Sequence, residues 1–288
     1  MSADVDGFRL AYDRHGEAGA PAIVLLHGWP GGRHDHDAVA AALAGTADVL
    51  VPDLRGFGDS EGPADAPDAA YAAPAQAASI EALLDELGVG RVVIGGYDVG
   101  SRVAQRIAAD QPERVAGLVI TPPLPGAGER ILGAQAMEEF WYQPFHRLPL
   151  ARELIDGRPD AVRAYLRHFW EHWSAPGFTP PAAHLDALVE SYARPGAFTR
   201  STAWYRAGSG AVASALAETV PDPSDRIAAP TTILWPEHDP LFPPEWSDRL
   251  SDFFSDATLE QLAGAGHFSP LEAPRQFARA ISASLRTC

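Results

Sequence analysis

The sequence has no lysine, one cysteine and no long apolar run. Its 22 basic residues are all arginines, which indicates the codon bias of a GC-rich genome rather than a function. The only cysteine, Cys288, is the last residue, so a disulfide framework, a thiolate metal site and a cysteine nucleophile in a folded pocket are excluded. No stretch approaches the roughly 18 apolar residues of a membrane span, and no membrane interaction is predicted.

Positive charge is also scarce, because 38 acidic residues stand against 22 basic ones and the formal net charge is −16. No basic run accompanies this excess, so nucleic acid and anionic membrane surfaces are not expected partners. The first residues, Met1 to Asp6, lack the basic and apolar regions of a secretory signal. A cytoplasmic location is the expectation.

Apolar residues, at 46% of 288 positions, are frequent enough for a large core. Helices are predicted from Ser79 to Gly88, from Trp246 to Phe254 and from Pro274 to Leu285, and Phe8–Tyr12 alternates like an edge strand. Apolar runs predict buried strands at 23–26, 49–52, 92–94 and 115–120, and two more strands are predicted at 231–235 and 258–262. Strands that alternate with helices predict an α/β fold, with a mostly parallel sheet and helices on both faces.

The pattern changes in the middle of the chain. From about Glu129 to Pro221 there are helical periodicity and aromatic clusters but no convincing strand. The sequence therefore predicts a core domain of residues 1–128 and 222–288 and an inserted helical cap of residues 129–221.

A glycine-rich turn follows the strand at 92–94. Its sequence, Gly96-Tyr97-Asp98-Val99-Gly100, has the form of a nucleophile elbow, in which glycines let the backbone fold sharply and present the central side chain above the sheet. The central residue here is Asp98. A carboxylate thus stands where many hydrolases have a serine.

Two later loops supply the groups that such a nucleophile needs. Asp239 directly follows the strand at 231–235, and His267 follows the strand at 258–262. In α/β-hydrolases the nucleophile, the acid and the histidine occur in this order along the chain, and each follows a strand. Asp239 is therefore predicted to orient His267, with Glu237 and Asp248 as weaker alternatives.

With these residues in this order, the chain resembles α/β-hydrolases, and most of all their epoxide hydrolase branch. The resemblance covers nearly the whole length, including the loops His27–Pro30 and Asp53–Ser60, the elbow and both later loops. In the cap, Phe140–Gln143 and Trp204–Arg206 are similar to the segments that carry the ring-opening tyrosines of epoxide hydrolases. The resemblance therefore implies that Tyr142 and Tyr205 are ring-opening acids.

The same resemblance implies the rest of the site. The backbone N–H groups of Trp29 and Val99 would form an oxyanion hole, and Trp29, Phe140 and Trp141 would line the substrate site. The expected substrates are water and a small neutral epoxide, apolar or aromatic, with no metal and no organic cofactor. The oligomeric state, monomer or homodimer, is not predicted.

An aspartate at the elbow has a chemical consequence. A serine that attacked a saturated carbon would form an ether, which activated water cannot hydrolyse, whereas a carboxylate forms an ester, and water can add to its carbonyl carbon. Asp98 therefore points to displacement at saturated carbon. With the resemblance to epoxide hydrolases, this implies that Asp98 opens an epoxide to a vicinal diol through a covalent ester and that His267 activates the water.

Two other function classes stay open. Haloalkane and haloacid dehalogenases resemble this elbow too, but the residue after their nucleophile is typically a tryptophan that holds the halide, or an arginine in the fluoroacetate type, where this chain has Val99. Trp29 and Trp141 are the candidate halide donors in that case. A ligand-binding protein on a hydrolase scaffold is the third class, and the apparently complete triad argues against it.

Overall fold

The computed structural model describes residue 2 and residues 4–287, so the expectation for Cys288 concerns a residue outside the described part. Within that part, seven strands form one sheet in the order β1-β3-β2-β4-β5-β6-β7, and every neighbouring pair is parallel except β1 and β3. The strands are β1 (Tyr12–His15), β2 (Ala22–Leu26), β3 (Asp48–Pro52), β4 (Val92–Gly96), β5 (Val115–Ile120), β6 (Thr231–Pro236) and β7 (Ala257–Leu262). The predicted α/β fold is confirmed.

Both faces of the central strands are buried, which explains why these strands are almost purely apolar. Side chains alternate along a strand, so Val24 and Leu26 of β2 belong to one core, and Ile23 and Leu25 belong to a second core on the opposite face. The first core continues into the helical segment above the sheet.

The described helices fall into two groups, those that flank the sheet and those between β5 and β6. The flanking helices are α1 (Asp37–Leu43), α2 (Ala73–Glu86), α3 (Val99–Asp110), and, after β7, α12 (Ser269–Glu272) and α13 (Pro274–Thr287). Between β5 and β6 lie α4 (Ala134–Glu139), α5 (Tyr142–His146), α6 (Pro149–Ile155), α7 (Pro159–Trp173), α8 (Ala182–Tyr192), α9 (Ala197–Ser201), α10 (Ala203–Arg206) and α11 (Ala211–Ala217). We call this second group the cap helices, and the domain limits at 129 and 221 stay a prediction.

Three local predictions differ from the structure. The first ladder begins at Tyr12 rather than Phe8, because the backbone N–H of Leu10 donates to Ser2 Oγ and that of Arg9 to the Glu61 carbonyl. The helix expected from Ser79 begins at Ala73, since a proline is well tolerated in a first helical turn. The helix expected from Trp246 is a 3-10 helix over Pro244–Asp252.

Candidate active site

The turn between β4 and α3 holds Asp98 in a rare backbone conformation, with φ 49° and ψ −118°. Few side chains adopt positive φ, and aspartate is among those that tolerate it best. The turn also needs its glycines, because a Cβ on Gly100 would lie 2.1 Å from the Leu26 carbonyl oxygen, and one on Gly96 would lie 2.7 Å from the Gly100 carbonyl oxygen. The predicted elbow is therefore a close crossing of backbone segments that presents Asp98 at the end of the sheet.

One oxygen of Asp98 is held by the loop after β2. The backbone N–H of Trp29 donates to Asp98 Oδ1 over 2.7 Å. Val99, the other predicted oxyanion-hole residue, is buried and is the first residue of α3. A helix N-terminus carries partial positive charge, which favours an ionised Asp98 beside it.

His267 lies between two carboxylates. Its Nδ1 is 2.9 Å from Asp239 Oδ2, and its Nε2 is 3.6 Å from Asp98 Oδ2. Asp239 is itself fixed, because its Oδ1 accepts the backbone N–H of Leu241 over 2.9 Å. The structure thus brings Asp98, His267 and Asp239 together in the arrangement of a catalytic triad.

The two alternatives to Asp239 lie elsewhere. Glu237 accepts the backbone N–H of Gly264, and Asp248 is an exposed carboxylate that pairs with Arg130. Neither carboxylate has a contact with His267 in the described structure, whereas Asp239 does.

The environment of His267 changes its protonation. Burial alone would lower the pKa of the imidazole, but the charges of Asp239 and Asp98 together with their hydrogen bonding raise it to about 10. His267 is therefore an imidazolium at neutral pH as long as both carboxylates are ionised. The imidazolium state depends on the negative charge of Asp98. A covalent bond at Asp98 Oδ2 would remove that charge.

Tyr142 and Tyr205 come from different cap helices and meet at the Trp29 side chain. Their ring centres are 5.5 Å apart with the planes at 89°, and each centre is 5.6 Å from the Trp29 ring, which stacks parallel to Tyr142. Because the N–H of Trp29 holds Asp98, this packing places both tyrosines close to the elbow. Gln143 fixes the Tyr142 hydroxyl by donating Nε2–H to it over 3.2 Å, so the phenol proton is left for another acceptor.

Both phenols are held in their protonated form. Burial is the largest cause, and the nearby Asp98 charge adds to it, so the pKa of Tyr142 and the pKa of Tyr205 lie well above their usual value. A phenol that stays protonated at neutral pH can donate a hydrogen bond and then a proton to an oxygen that becomes an alkoxide.

The two other predicted substrate-site residues behave differently. Phe140 is fully buried, with its ring centre 6.4 Å from that of Tyr142. Trp141 is 40% exposed at the surface of the cap helices, and its ring contacts Phe145, Tyr165, His168 and the buried Phe169. The structure does not bring Trp141 to Asp98, because consecutive helical residues point to different faces.

Two residues near the triad were missed by the sequence. Trp173, the last residue of α7, packs 5.0 Å from the His267 ring and accepts the His267 backbone N–H with its carbonyl. His146 is buried 4.6 Å from the Trp29 ring and 4.8 Å from the Tyr205 ring. The only sequence signal was that both follow aromatic residues at helical spacing, which mostly indicates packing.

Among the described residues, no group of three or more histidine, cysteine or carboxylate side chains is placed to hold a metal ion. The same part of the chain contains no helix that is both long and apolar enough to cross a bilayer.

The chain matches a known family over most of its length. Residues 21–274 fit the model of the alpha/beta hydrolase fold family. The solved structure of ALR0039 from Nostoc sp. PCC 7120 superposes with a TM-score of 0.87 at 26% identity, covering 100% of this chain and 98% of that one. The protein therefore belongs to the α/β-hydrolase family.

Curated relatives include epoxide hydrolases, dehalogenases and a diacylglycerol lipase. Epoxide hydrolase A of Mycobacterium tuberculosis is 30% identical over 96% of this chain and 94% of its own length. Fluoroacetate dehalogenase of a Burkholderia species is 32% identical over 196 residues, which are 65% of this chain and 62% of that protein. The chain thus spans less than two thirds of the dehalogenase and nearly all of the epoxide hydrolase, and the predicted resemblance to epoxide hydrolases is confirmed.

Proposed function

We propose that the protein hydrolyses a small apolar or aromatic epoxide to a vicinal diol through an ester on Asp98. The observation that carries the proposal is the pair of buried, protonated phenols, Tyr142 and Tyr205, packed on the residue whose N–H holds the nucleophile. A leaving oxygen that stays attached to the substrate needs proton donors, and two phenols supply them. The aromatic surroundings of these phenols favour an apolar substrate.

In the first step, Asp98 Oδ2 attacks an epoxide carbon and the carbon–oxygen bond of the ring breaks. Oδ2 is suited to this role, because Oδ1 is already bound by the Trp29 N–H whereas Oδ2 faces His267. The electron pair of the broken bond stays on the ring oxygen, which takes a proton from Tyr142 or Tyr205. The products are a hydroxyalkyl ester of Asp98 and a tyrosinate. The tyrosinate takes up the proton that the His267 imidazolium releases once Asp98 has lost its charge, so the phenol is restored and His267 becomes neutral.

In the second step, His267 removes a proton from water, and the water oxygen adds to the Asp98 carbonyl carbon. Negative charge develops on Oδ1, where the Trp29 N–H stabilises it. The intermediate then expels the alkoxide that contains Oδ2, and His267 returns the proton to it. The diol leaves with an oxygen from Asp98, and the new carboxyl group keeps one from water. This carboxyl group passes its proton to His267, which restores the Asp98 carboxylate and the imidazolium.

A single turnover in H₂¹⁸O tests this route directly. With enzyme in excess over an aromatic epoxide, we expect the diol of the first turnover to contain no solvent label and the Asp98 peptide to gain one ¹⁸O, read by mass spectrometry. A first-turnover diol that carries ¹⁸O would show that water attacks the epoxide directly and would refute the ester.

Dehalogenation is the second candidate, and one observation favours it. The indole N–H of Trp29 is buried and has no hydrogen-bond partner in the described structure, and such a donor suits a departing halide. An assay of fluoroacetate and a short haloalkane beside the epoxide separates the two functions. Both reactions use the same Asp98 ester, so formation of the ester alone does not separate them. Halide release without turnover of any epoxide would decide for dehalogenation.

Removal of one phenol is expected to slow ring opening without stopping it. We expect Tyr142→Phe and Tyr205→Phe each to lower the rate of Asp98 alkylation about 10- to 100-fold and the double variant to lower it further, since each hydroxyl supports the leaving oxygen. Single-turnover measurement of alkylation on an epoxide checks this. Tyr71→Phe is the control, because it removes a buried phenol that packs against Phe8, and a loss equal to that of the control would contradict the acid role.

A further inference from the structure

A cap residue holds the loop that supplies the oxyanion-binding N–H. Tyr192, the last residue of α8, is buried, and its hydroxyl accepts the backbone N–H of Gly31 over 3.0 Å and donates to the Gly31 carbonyl over 2.9 Å. Gly31 follows Trp29 by two residues. Both backbone polar groups of Gly31, which belong to the two peptide units on either side of its Cα, are thus bound by a single phenol from the cap helices.

The same helix holds the loop at a second point. His184 Nε2 lies 3.0 Å from Asp35 Oδ1, and this carboxylate is completely buried. Asp35 Oδ2 in turn accepts the backbone N–H of Gly32 over 3.0 Å and the hydroxyl of Tyr97, the neighbour of Asp98, over 2.5 Å. His184 and Tyr192 are eight residues apart, so they share one face of α8.

These contacts lie directly after the N–H that, among the described residues, donates to the Asp98 carboxylate. Trp29 donates to Asp98 Oδ1 over 2.7 Å, and the next residues of its loop are bound by Tyr192 at Gly31 and by Asp35 at Gly32. The bonds at Gly31 fix the two peptide planes next to its Cα. Only the Trp29–Pro30 peptide separates these planes from the plane that carries the Trp29 N–H, so the bonds limit how far that N–H can turn. Glycine offers little resistance of its own to rotation, which leaves the constraint to its partners.

We infer that α8 positions the oxyanion-binding N–H of Trp29, with Tyr192 as the principal positioning residue for hydrolysis of the Asp98 ester. The inference rests on the proposed function. In ground-state Asp98 the charge is shared by both oxygens, whereas in the tetrahedral intermediate it is concentrated on Oδ1. Misplacement of the Trp29 N–H therefore slows ester breakdown more than it slows ester formation.

Tyr192→Phe tests the inference, because it keeps the ring and removes only the hydroxyl. We expect ester breakdown to slow about 10- to 100-fold, while single-turnover alkylation changes by less than about threefold. Ester hydrolysis then limits the cycle, so kcat and KM fall together and the Asp98 ester accumulates in the steady state, which intact-protein mass spectrometry detects. Loss of stability alone would lower the amount of folded enzyme and leave the ratio of the alkylation rate to the ester-breakdown rate unchanged.

The control is again Tyr71→Phe, which removes a buried phenol from a 3-10 helix of the core, and we expect it to leave the ratio of the two rates unchanged. His184→Gln, which removes the ion pair with Asp35, provides a second variant should Tyr192→Phe not fold, and we expect the same direction with a smaller effect. Equal changes in both steps, or no change in either, would overturn the positioning role. A wild type that forms no Asp98 ester with any epoxide would instead overturn the proposed function and this inference with it.

Discussion

An Asp98→Asn variant is expected to lose about 10⁴-fold or more in kcat, because an amide is a poor nucleophile and nothing else in the site can form the ester. The substitution should leave the fold intact. An asparagine oxygen can still accept the Trp29 N–H that now binds Oδ1, and asparagine tolerates the positive φ of the elbow as well as aspartate does. The measurement is diol formation per folded enzyme, together with the mass of the protein after incubation with epoxide.

A matched control separates the nucleophile from a general effect of charge. Asp59→Asn removes an exposed carboxylate of the loop after β3, where it pairs with Arg33 and Arg194. We expect this variant to keep activity within about threefold, since exposed ion pairs contribute little. Diol formation by freshly purified Asp98→Asn at more than a tenth of the wild-type rate would mean that water attacks the epoxide without a covalent ester.

The sequence predicts well which side chains of the sheet domain meet, because the relevant information is local. A fully apolar run such as Ile23–Leu26 has few choices other than a buried strand, and the structure places β2 over Ala22–Leu26. Asp98, Asp239 and His267 each follow a predicted strand, and the carboxyl ends of parallel strands meet at one edge of the sheet. Order along the chain was thus sufficient to predict that these three side chains meet.

The cap contribution could be predicted only in part, because helical periodicity shows which residues share a face but not what that face contacts. Trp141 was expected at the substrate and lies at the surface of the cap helices, whereas Trp173, which received no role, packs on His267. Tyr192 gives no signal in the sequence, since its importance depends on the docking of α8 against a loop some 160 residues earlier. Tyr142 and Tyr205 were accessible only through their resemblance to known segments.

A His267→Gln variant is expected to stop the reaction halfway, with the ester formed and not hydrolysed. Formation of the ester needs an ionised Asp98 and the two phenols, none of which the substitution removes. Hydrolysis needs a base, and general-base contributions of about 10²–10⁴ in rate lead us to expect a loss of that size in kcat. Incubation with an epoxide should give a burst of one equivalent and a protein heavier by one substrate molecule.

In the proposed route His267 acts as a base only after the first step, and the charges around its imidazole give a reason for this order. With Asp98 and Asp239 both charged, the imidazole pKa is about 10, so the resting enzyme holds His267 as its conjugate acid. Formation of the ester removes the charge of Asp98, while burial and Asp239 remain, so the pKa falls. The histidine becomes a base when the ester is present, which is when water must be activated.

This switch predicts the pH dependence of the two steps. Ester breakdown should slow towards acid pH with the lowered pKa of His267 in the ester form. Single-turnover alkylation should stay flat across the neutral range, because the phenols that protonate the leaving oxygen titrate well above it. His238→Gln, which changes an exposed histidine beside Glu237, should retain both steps and both profiles.

If His267→Gln forms no ester although it is folded, then the histidine acts before the covalent step, and the order of events proposed here is wrong.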